Sequence, residues 1–199
     1  MADAYLESAL QSTATPAELR PFYEQFRDLH SKKLWYQLTL LIDEFLRHPA
    51  SQQGTYQIDL YENFVRTFAK NINHLELASF GVIVSRQFSD AAKAYDFLHA
   101  LATEAEEKDW QDAYVLLSME AAHFQLLLGD VVATKTAMDK ASKVLDTFDS
   151  VEPVVHASFY RVSGNYYKSK AEYADYYRNF LLFLACINYE TEMSVSEQV

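Results

Sequence analysis

The stretch Trp110-QDAYVLLSMEAAHFQLLLGDVVATKTAMDKASKVLDT-Phe148 decides the fold, because two amphipathic helices with one tight turn can be drawn in it. Apolar residues recur in its first half at steps of four and three, which puts them on one helical face: Trp110, Tyr114, Leu117, Ala121, Phe124 and Leu128. Gly129 is expected to end this helix and Asp130 to cap the next. The second half repeats the spacing at Val131, Thr134, Met138, Ala141, Leu145 and Phe148. Neither stripe can be covered by its partner alone, so we expect further hairpins on either side.

The rest of the chain also favours helices. Only four glycines and four prolines occur in 199 residues, and no stretch shows sustained period-two alternation. Tyr160, Gly164 and Tyr167 have the spacing of a tetratricopeptide-type first helix. We therefore expect an all-α fold of about ten helices, a right-handed stack of antiparallel helical hairpins that forms a degenerate tetratricopeptide-like solenoid. One domain is expected over residues 1–190, with 191–199 starting a next helix, truncated before a C-terminal module.

Helix-start signals divide the chain further. Helix starts are predicted where a capping residue is followed three positions later by glutamate: Thr15 with Glu18, Asn73 with Glu76, Ser169 with Glu172, and Ser194 with Glu197. Asp90 and Pro153 are also expected to start helices. A helix is predicted from Pro16 to His30, with Pro21 either kinking it or resetting its start. The spacing predicts that Ser31 opens the next helix and that Ile58 to Ile72 form a single one.

The charge balance argues against two classes of partner. The formal net charge is -11, and no Lys/Arg run is present, which is unfavourable for binding a nucleic-acid backbone or an anionic membrane. The longest apolar run, Phe180 to Ile187, is far shorter than the ~20 residues that cross a bilayer. Cys186 is the sole cysteine, so an intrachain disulfide is excluded and a reducing compartment is expected.

Motifs for catalysis, cofactors or metals do not occur. The six histidines are never spaced i, i+4, and the four glycines are too scattered for a phosphate-binding loop. The acidic and basic residues at helical spacing suit surface ion pairs. We therefore expect a protein that is not an enzyme, with no cofactor and no metal.

Tyrosine is concentrated between residues 159 and 189. These rings either fill gaps between helices or form a contact surface, since tyrosine buries apolar area while its hydroxyl finds a partner. The candidates for protein contact are Tyr166, Tyr173, Tyr177 and Tyr189.

Three stretches carry a family resemblance: Pro21-FYEQFRDLHSKKLWYQL-Thr39, Leu60-YENFVRTFAKNIN-His74 and Ser158-FYRVSGNYYKSKAEYADYYRNFLLFLA-Cys186. In this order and spacing they resemble the N-terminal half of a PCI-domain lid subunit of the 26S proteasome regulatory particle. The resemblance implies helical hairpins followed by a PCI module, a helical stretch ending in a winged helix, which these residues do not include. It also implies a non-catalytic scaffold for ubiquitin-dependent protein degradation, in the cytoplasm and nucleus. Its partners would be other lid subunits and the neighbouring ubiquitin-receptor subunit.

Two alternatives stay open. A peptide-binding repeat adaptor would need a concave groove lined by Lys, Arg or Asn, and Lys168, Lys170 and Arg178 do not form a clear set of this kind. A PCI subunit of another assembly, such as the signalosome or the translation-initiation scaffold, would share the same architecture.

Overall fold

Helices make up the regular structure of the part of the chain that the computed structural model describes, residues 2–13 and 15–187. These residues form a 3₁₀ helix, Val65–Asn71, and ten α-helices: α1 (Ala2–Gln11), α2 (Arg20–Ser31), α3 (Trp35–Arg47), α4 (Tyr56–Asn63), α5 (His74–Ser85), α6 (Ala91–Glu107), α7 (Gln111–Leu127), α8 (Val131–Leu145), α9 (Pro153–Ser169) and α10 (Tyr173–Cys186). The all-α prediction is confirmed. Within each of the two compact units described below, neighbouring helices pack on one another, which is consistent with a solenoid-like arrangement.

The chain divides into two compact units, Met1–Ser89 and Asp90–Val199. The expected single domain over residues 1–190 stays a prediction. The helix expected to start within 191–199 lies outside the described residues.

An aromatic cluster forms the core of the first unit. The Phe26 ring centroid lies 5.7 Å from that of Phe45 and 5.5 Å from that of Phe64, and all three side chains are fully buried. Tyr23 joins them, with its ring centroid 5.7 Å from that of Phe45. The rings come from α2, α3 and the end of α4, so this cluster holds three separate elements together.

Residues 58–72 do not form the single helix that their spacing predicts. Phe64 leaves helical geometry with φ −120° and ψ −61°, and the chain continues as the 3₁₀ helix. At this break the Phe64 and Phe68 ring centroids lie 5.0 Å apart, and Phe68 stacks on Trp35 at 5.6 Å. Burial of both rings compensates for the helical hydrogen bonds lost at the break, so tertiary packing outweighs the regular spacing.

The start of α2 is set by proline. The helix begins at Arg20 with Pro21 in its first turn, which confirms that Pro21 resets the start. Thr15 does not cap this helix, because the helix begins at Arg20 and the residue before it is Leu19. The Thr15 hydroxyl instead donates to the Ala9 carbonyl at 2.8 Å. Ser31 does not open α3 either: it ends α2, where its hydroxyl donates to the Asp28 carbonyl at 2.8 Å.

In the second unit, α7 packs against α6, α8 and α9. Its buried residues therefore occupy more than the single predicted stripe: Ala113, Val115, Leu116, Leu117, Met119, Glu120, Ala121 and Ala122. Leu117 and Ala121 are buried as expected, whereas Leu128 is 54% exposed because it lies beyond the last helical residue, at the turn.

The turn and cap between α7 and α8 are confirmed. Gly129 has φ +87°, a conformation that favours glycine, and the Asp130 carboxylate accepts from the Ala133 amide at 2.9 Å. The caps at Asn73 and Asp90 are also confirmed: they accept from the amides two residues on, at 2.8 and 2.9 Å.

The cap predicted at Ser169 is wrong. Ser169 is the last residue of α9, and its hydroxyl donates to the Tyr166 carbonyl at 2.7 Å. The chain then turns through Ala171, whose φ is +58°, and α10 begins at Tyr173. Pro153 starts α9 as predicted.

Candidate protein-contact surface

Helix α10 packs against α9, and none of its residues is buried. Tyr173, Tyr177 and Leu181 are 69%, 63% and 48% exposed. They follow one another at steps of four, which places them on one face of the helix. We call these three residues the α10 stripe. The stripe combines apolar surface, which is unfavourable to expose to water, with two tyrosine hydroxyls that can hydrogen-bond to a partner protein.

The opposite face of α10 is held close to α9. A Cβ added to Gly164 would lie 3.7 Å from the Asn179 Cβ and 3.8 Å from the Tyr176 Cδ2, so the two helices approach closely there. The Lys168 ammonium lies 5.7 Å from the centroid of the Tyr176 ring. These contacts fix which face of α10 is turned away from α9.

Charged side chains flank the α10 stripe. Asp175 and Arg178 are both exposed on the same helix. Neither belongs to an ion pair among the described residues. The surface is therefore apolar along its centre, with one charge of each sign at its border, an arrangement found where proteins bind proteins.

The structure separates the four candidate tyrosines. Tyr173 and Tyr177 are exposed, whereas Tyr166 is only 9% exposed and packs edge-on against Tyr167, with ring centroids 5.3 Å apart. Tyr166 therefore contributes to the interior of the second unit and not to the exposed face. Tyr189 lies outside the described residues.

Leu181 was not among the residues predicted to contact a partner. Its spacing from Tyr173 and Tyr177 does predict that it shares their helical face. A buried polar contact between α7 and α9 was also missed. The Glu120 carboxylate accepts from the Ser158 hydroxyl at 2.6 Å and from Arg161. The signal in the sequence was a glutamate placed between apolar Met119 and Ala121.

Within residues 2–13 and 15–187, no three His, Cys, Asp or Glu side chains come together to hold a metal ion. Burial raises the pKa of the Cys186 thiol, which disfavours its thiolate. In the same residues, no helix combines the length and the apolar character needed to span a membrane.

The amino-acid sequence is similar to proteins named as proteasome regulatory subunits. The probable 26S proteasome regulatory subunit rpn9 of Schizosaccharomyces pombe is 37% identical over 178 residues, 89% of this chain and 46% of the relative. The 26S proteasome non-ATPase regulatory subunit 13 homolog B of Arabidopsis thaliana is 36% identical over 97% of this chain and 49% of its own. The 26S proteasome regulatory subunit RPN9 of Saccharomyces cerevisiae is 30% identical over 96% and 51%.

The chain spans about half the length of these relatives. A family described as PSD13 N-terminal repeats matches residues 22–199, which include every helix from α3 to α10. This match covers well over half of the chain, and the chain therefore belongs to the PSD13 N-terminal repeat family.

Proposed function

We propose that this chain is the helical-repeat part of a non-catalytic scaffold subunit in the lid of the 26S proteasome regulatory particle. The observation that carries the proposal is the similarity, over most of the chain, to relatives that are named as regulatory subunits of this particle. In this role the chain supports ubiquitin-dependent protein degradation by holding other proteins, and it carries out no chemistry itself.

The α10 stripe is the proposed contact surface within this scaffold. Its partners are other lid subunits, among them the neighbouring ubiquitin-receptor subunit. Three exposed side chains on one helical face support this choice, because an apolar face of this kind is stabilised when a second protein covers it. The proposed compartments are the cytoplasm and the nucleus, in which a lone thiol such as Cys186 stays reduced.

Affinity purification tests the function. The protein is tagged in its own cells and the co-purifying proteins are identified by mass spectrometry. Recovery of proteasome lid subunits is expected. Recovery of signalosome or translation-initiation subunits in their place, or of no stable complex, would overturn the proposal.

A pair of variants tests the surface separately. Tyr173→Ser together with Tyr177→Ser is expected to reduce the recovery of lid subunits, since both rings are exposed. The matched control is Tyr36→Ser, which alters a tyrosine of α3 that is 76% exposed. If the wild-type protein recovers the lid and both variants recover it equally, the function stands and the α10 stripe is rejected as the contact surface.

A further inference from the structure

A cleft of about 310 Å³ opens in the second unit, where the turn between α6 and α7 faces the C-terminal end of α8. Trp110, Tyr114 and Val144 supply its apolar wall. This volume is at the lower end of the roughly 300–1,000 Å³ of ligand-binding pockets, and it suits a single long side chain. The cleft is separate from the α10 stripe, and its role does not depend on the proposed function.

Two carboxylates stand at one end of the cleft. Glu106 comes from the last turn of α6, and Asp109 from the connecting turn, where its φ is +56°. The Asp109 carboxylate accepts one hydrogen bond, from the side-chain Nε2 of Gln111 at 3.0 Å, which leaves acceptor capacity on this carboxylate. No lysine or arginine of the described residues forms an ion pair with either carboxylate.

The aromatic residues suit a cation at the same end. Burial raises the pKa of Tyr114 and the nearby Glu106 carboxylate raises it further, so that carboxylate acts on the tyrosine hydroxyl. Trp110 already attracts a cation within the protein, because the Lys108 ammonium lies 4.5 Å from its ring centroid. Lys108 is not among the residues that line the cleft, so that contact leaves the cleft itself open.

Lys143 lines the α8 side of the cleft. Its ammonium would repel a second cation there but would attract a carbonyl or carboxylate oxygen. The cleft is therefore polarised, with acceptors at the turn and a donor on α8. A peptide residue has this polarity when its side chain is cationic and its main-chain carbonyl points the other way.

We propose that this cleft binds an arginine side chain presented by a partner protein. The guanidinium lies between Glu106 and Asp109 and against the Trp110 ring, while the main-chain carbonyl of the same residue accepts from Lys143. Arginine suits the site better than lysine, because its flat guanidinium stacks on aromatic rings and pairs with carboxylates through several donors. The net charge of -11 favours a basic partner over an acidic one.

The two tryptophans provide the test. The protein is labelled with ¹⁵N, and the indole signals of Trp35 and Trp110 are followed during titration with N-acetylarginine amide. Trp35 lies in the first unit and serves as the internal reference for folding. We expect a saturable shift of the Trp110 signal alone, in the millimolar range. N-acetylcitrulline amide, which has nearly the same shape without the charge, is expected to bind at least about tenfold more weakly.

Glu106→Gln together with Asp109→Asn is expected to weaken the binding of the arginine compound by about tenfold or more. The matched control is Glu107→Gln, at an exposed residue beside Glu106 that does not line the cleft, and it is expected to leave binding unchanged. An absent Trp110 shift, equal shifts with arginine and citrulline, or unchanged binding in the double variant would each overturn the proposal.

Discussion

Arg161 on α9 reaches Glu120 on α7, and its Nη2 donates to both oxygens of that carboxylate. The Glu120 side chain is 7% exposed and the Arg161 side chain 29% exposed. The two partners therefore differ in what happens when the pair is broken. Arg161 could turn to water, whereas the carboxylate would stay in the interior, where the Ser158 hydroxyl also donates to it.

Arg161→Ala is expected to lower the free energy of unfolding by about 2–3 kcal/mol, because it removes the guanidinium that donates to both oxygens of a buried carboxylate. Urea unfolding followed by circular dichroism measures the change. Lys135→Ala is the control, since Lys135 and Asp139 form an exposed pair one turn apart on α8, and a loss of about 0.5 kcal/mol or less is expected there. If both variants lost the same free energy of unfolding, burial of Glu120 would not be the reason that its ion pair stabilises the protein.

Local signals predicted much of the fold. The caps at Asn73, Asp90 and Asp130 and the turn at Gly129 were foreseen because each depends on chemistry within three residues along the chain. The start of α4 was not foreseen in the same way. Its first amides are capped from outside, where Gln87 Oε1 accepts from the amides of Gln57 and Ile58 at 3.0 and 3.2 Å. No local sequence pattern predicts a cap that is supplied by a residue about thirty positions further along the chain.

The candidate surface was predictable only in part, for the same reason. The tyrosine-rich composition identified the region, but it could not separate buried Tyr166 from exposed Tyr173 and Tyr177. That distinction depends on which face of α10 meets α9, and Gly164 marks the point of closest approach. Whether a helical face is buried depends on the helices that pack against it. The periodic pattern of one helix does not identify those helices.

Two glycine substitutions are expected to change the free energy of unfolding in opposite directions. At Gly164, an added Cβ meets its nearest neighbours at ordinary contact distances, so Gly164→Ala should be neutral or stabilising by up to about 1 kcal/mol. At Gly129, the added Cβ meets no atom within 4 Å beyond the glycine and its chain neighbours, but φ is +87°. Gly129→Ala should therefore cost about 1–2 kcal/mol from backbone strain alone. Thermal unfolding of the two variants measures both values.

A larger side chain at Gly164 tests whether stability depends on the narrow space between α9 and α10 or on the backbone freedom of glycine. Gly164→Leu is expected to destabilise the protein by about 1–3 kcal/mol, because its side chain would push Tyr176 and Asn179 away from α9. If Leu is tolerated as well as Ala, the close approach of α9 and α10 is not a constraint on stability.

Alkaline pH is expected to destabilise the first unit through two tyrosines. Burial raises the pKa of Tyr5 and of Tyr23 above the usual value near 10. The unfolded chain therefore releases these protons at a lower pH than the folded one. The stabilisation is complete below the unfolded pKa and is lost as the pH rises towards the folded pKa, with a slope of about 1.4 kcal/mol per pH unit for each tyrosine.

Tyr5→Phe together with Tyr23→Phe should make this alkaline loss less steep, since neither phenylalanine can ionise. Urea unfolding at several pH values from neutral to about pH 11 measures the slope. Tyr36→Phe, at a residue that is 76% exposed, is the control and should leave the slope unchanged. An identical slope in the double variant and the wild-type protein would rule out these two tyrosines as the cause.

Three of the residues predicted as helix caps with a following glutamate should differ in their effect on stability. Asn73→Ala removes an acceptor for the Leu75 amide at 2.8 Å and is expected to cost about 1 kcal/mol. Ser169→Ala should cost much less, because Ser169 ends α9 and its hydroxyl donates only to a carbonyl of the same helix. Thr15→Ala should fall between them: its hydroxyl bonds Ala9 and its side chain is buried, yet it caps no helix. Denaturation midpoints for the three variants would show this order. A cost at Ser169 equal to that at Asn73 would mean that the spacing of serine and glutamate matters in itself, whatever the hydrogen bond it makes.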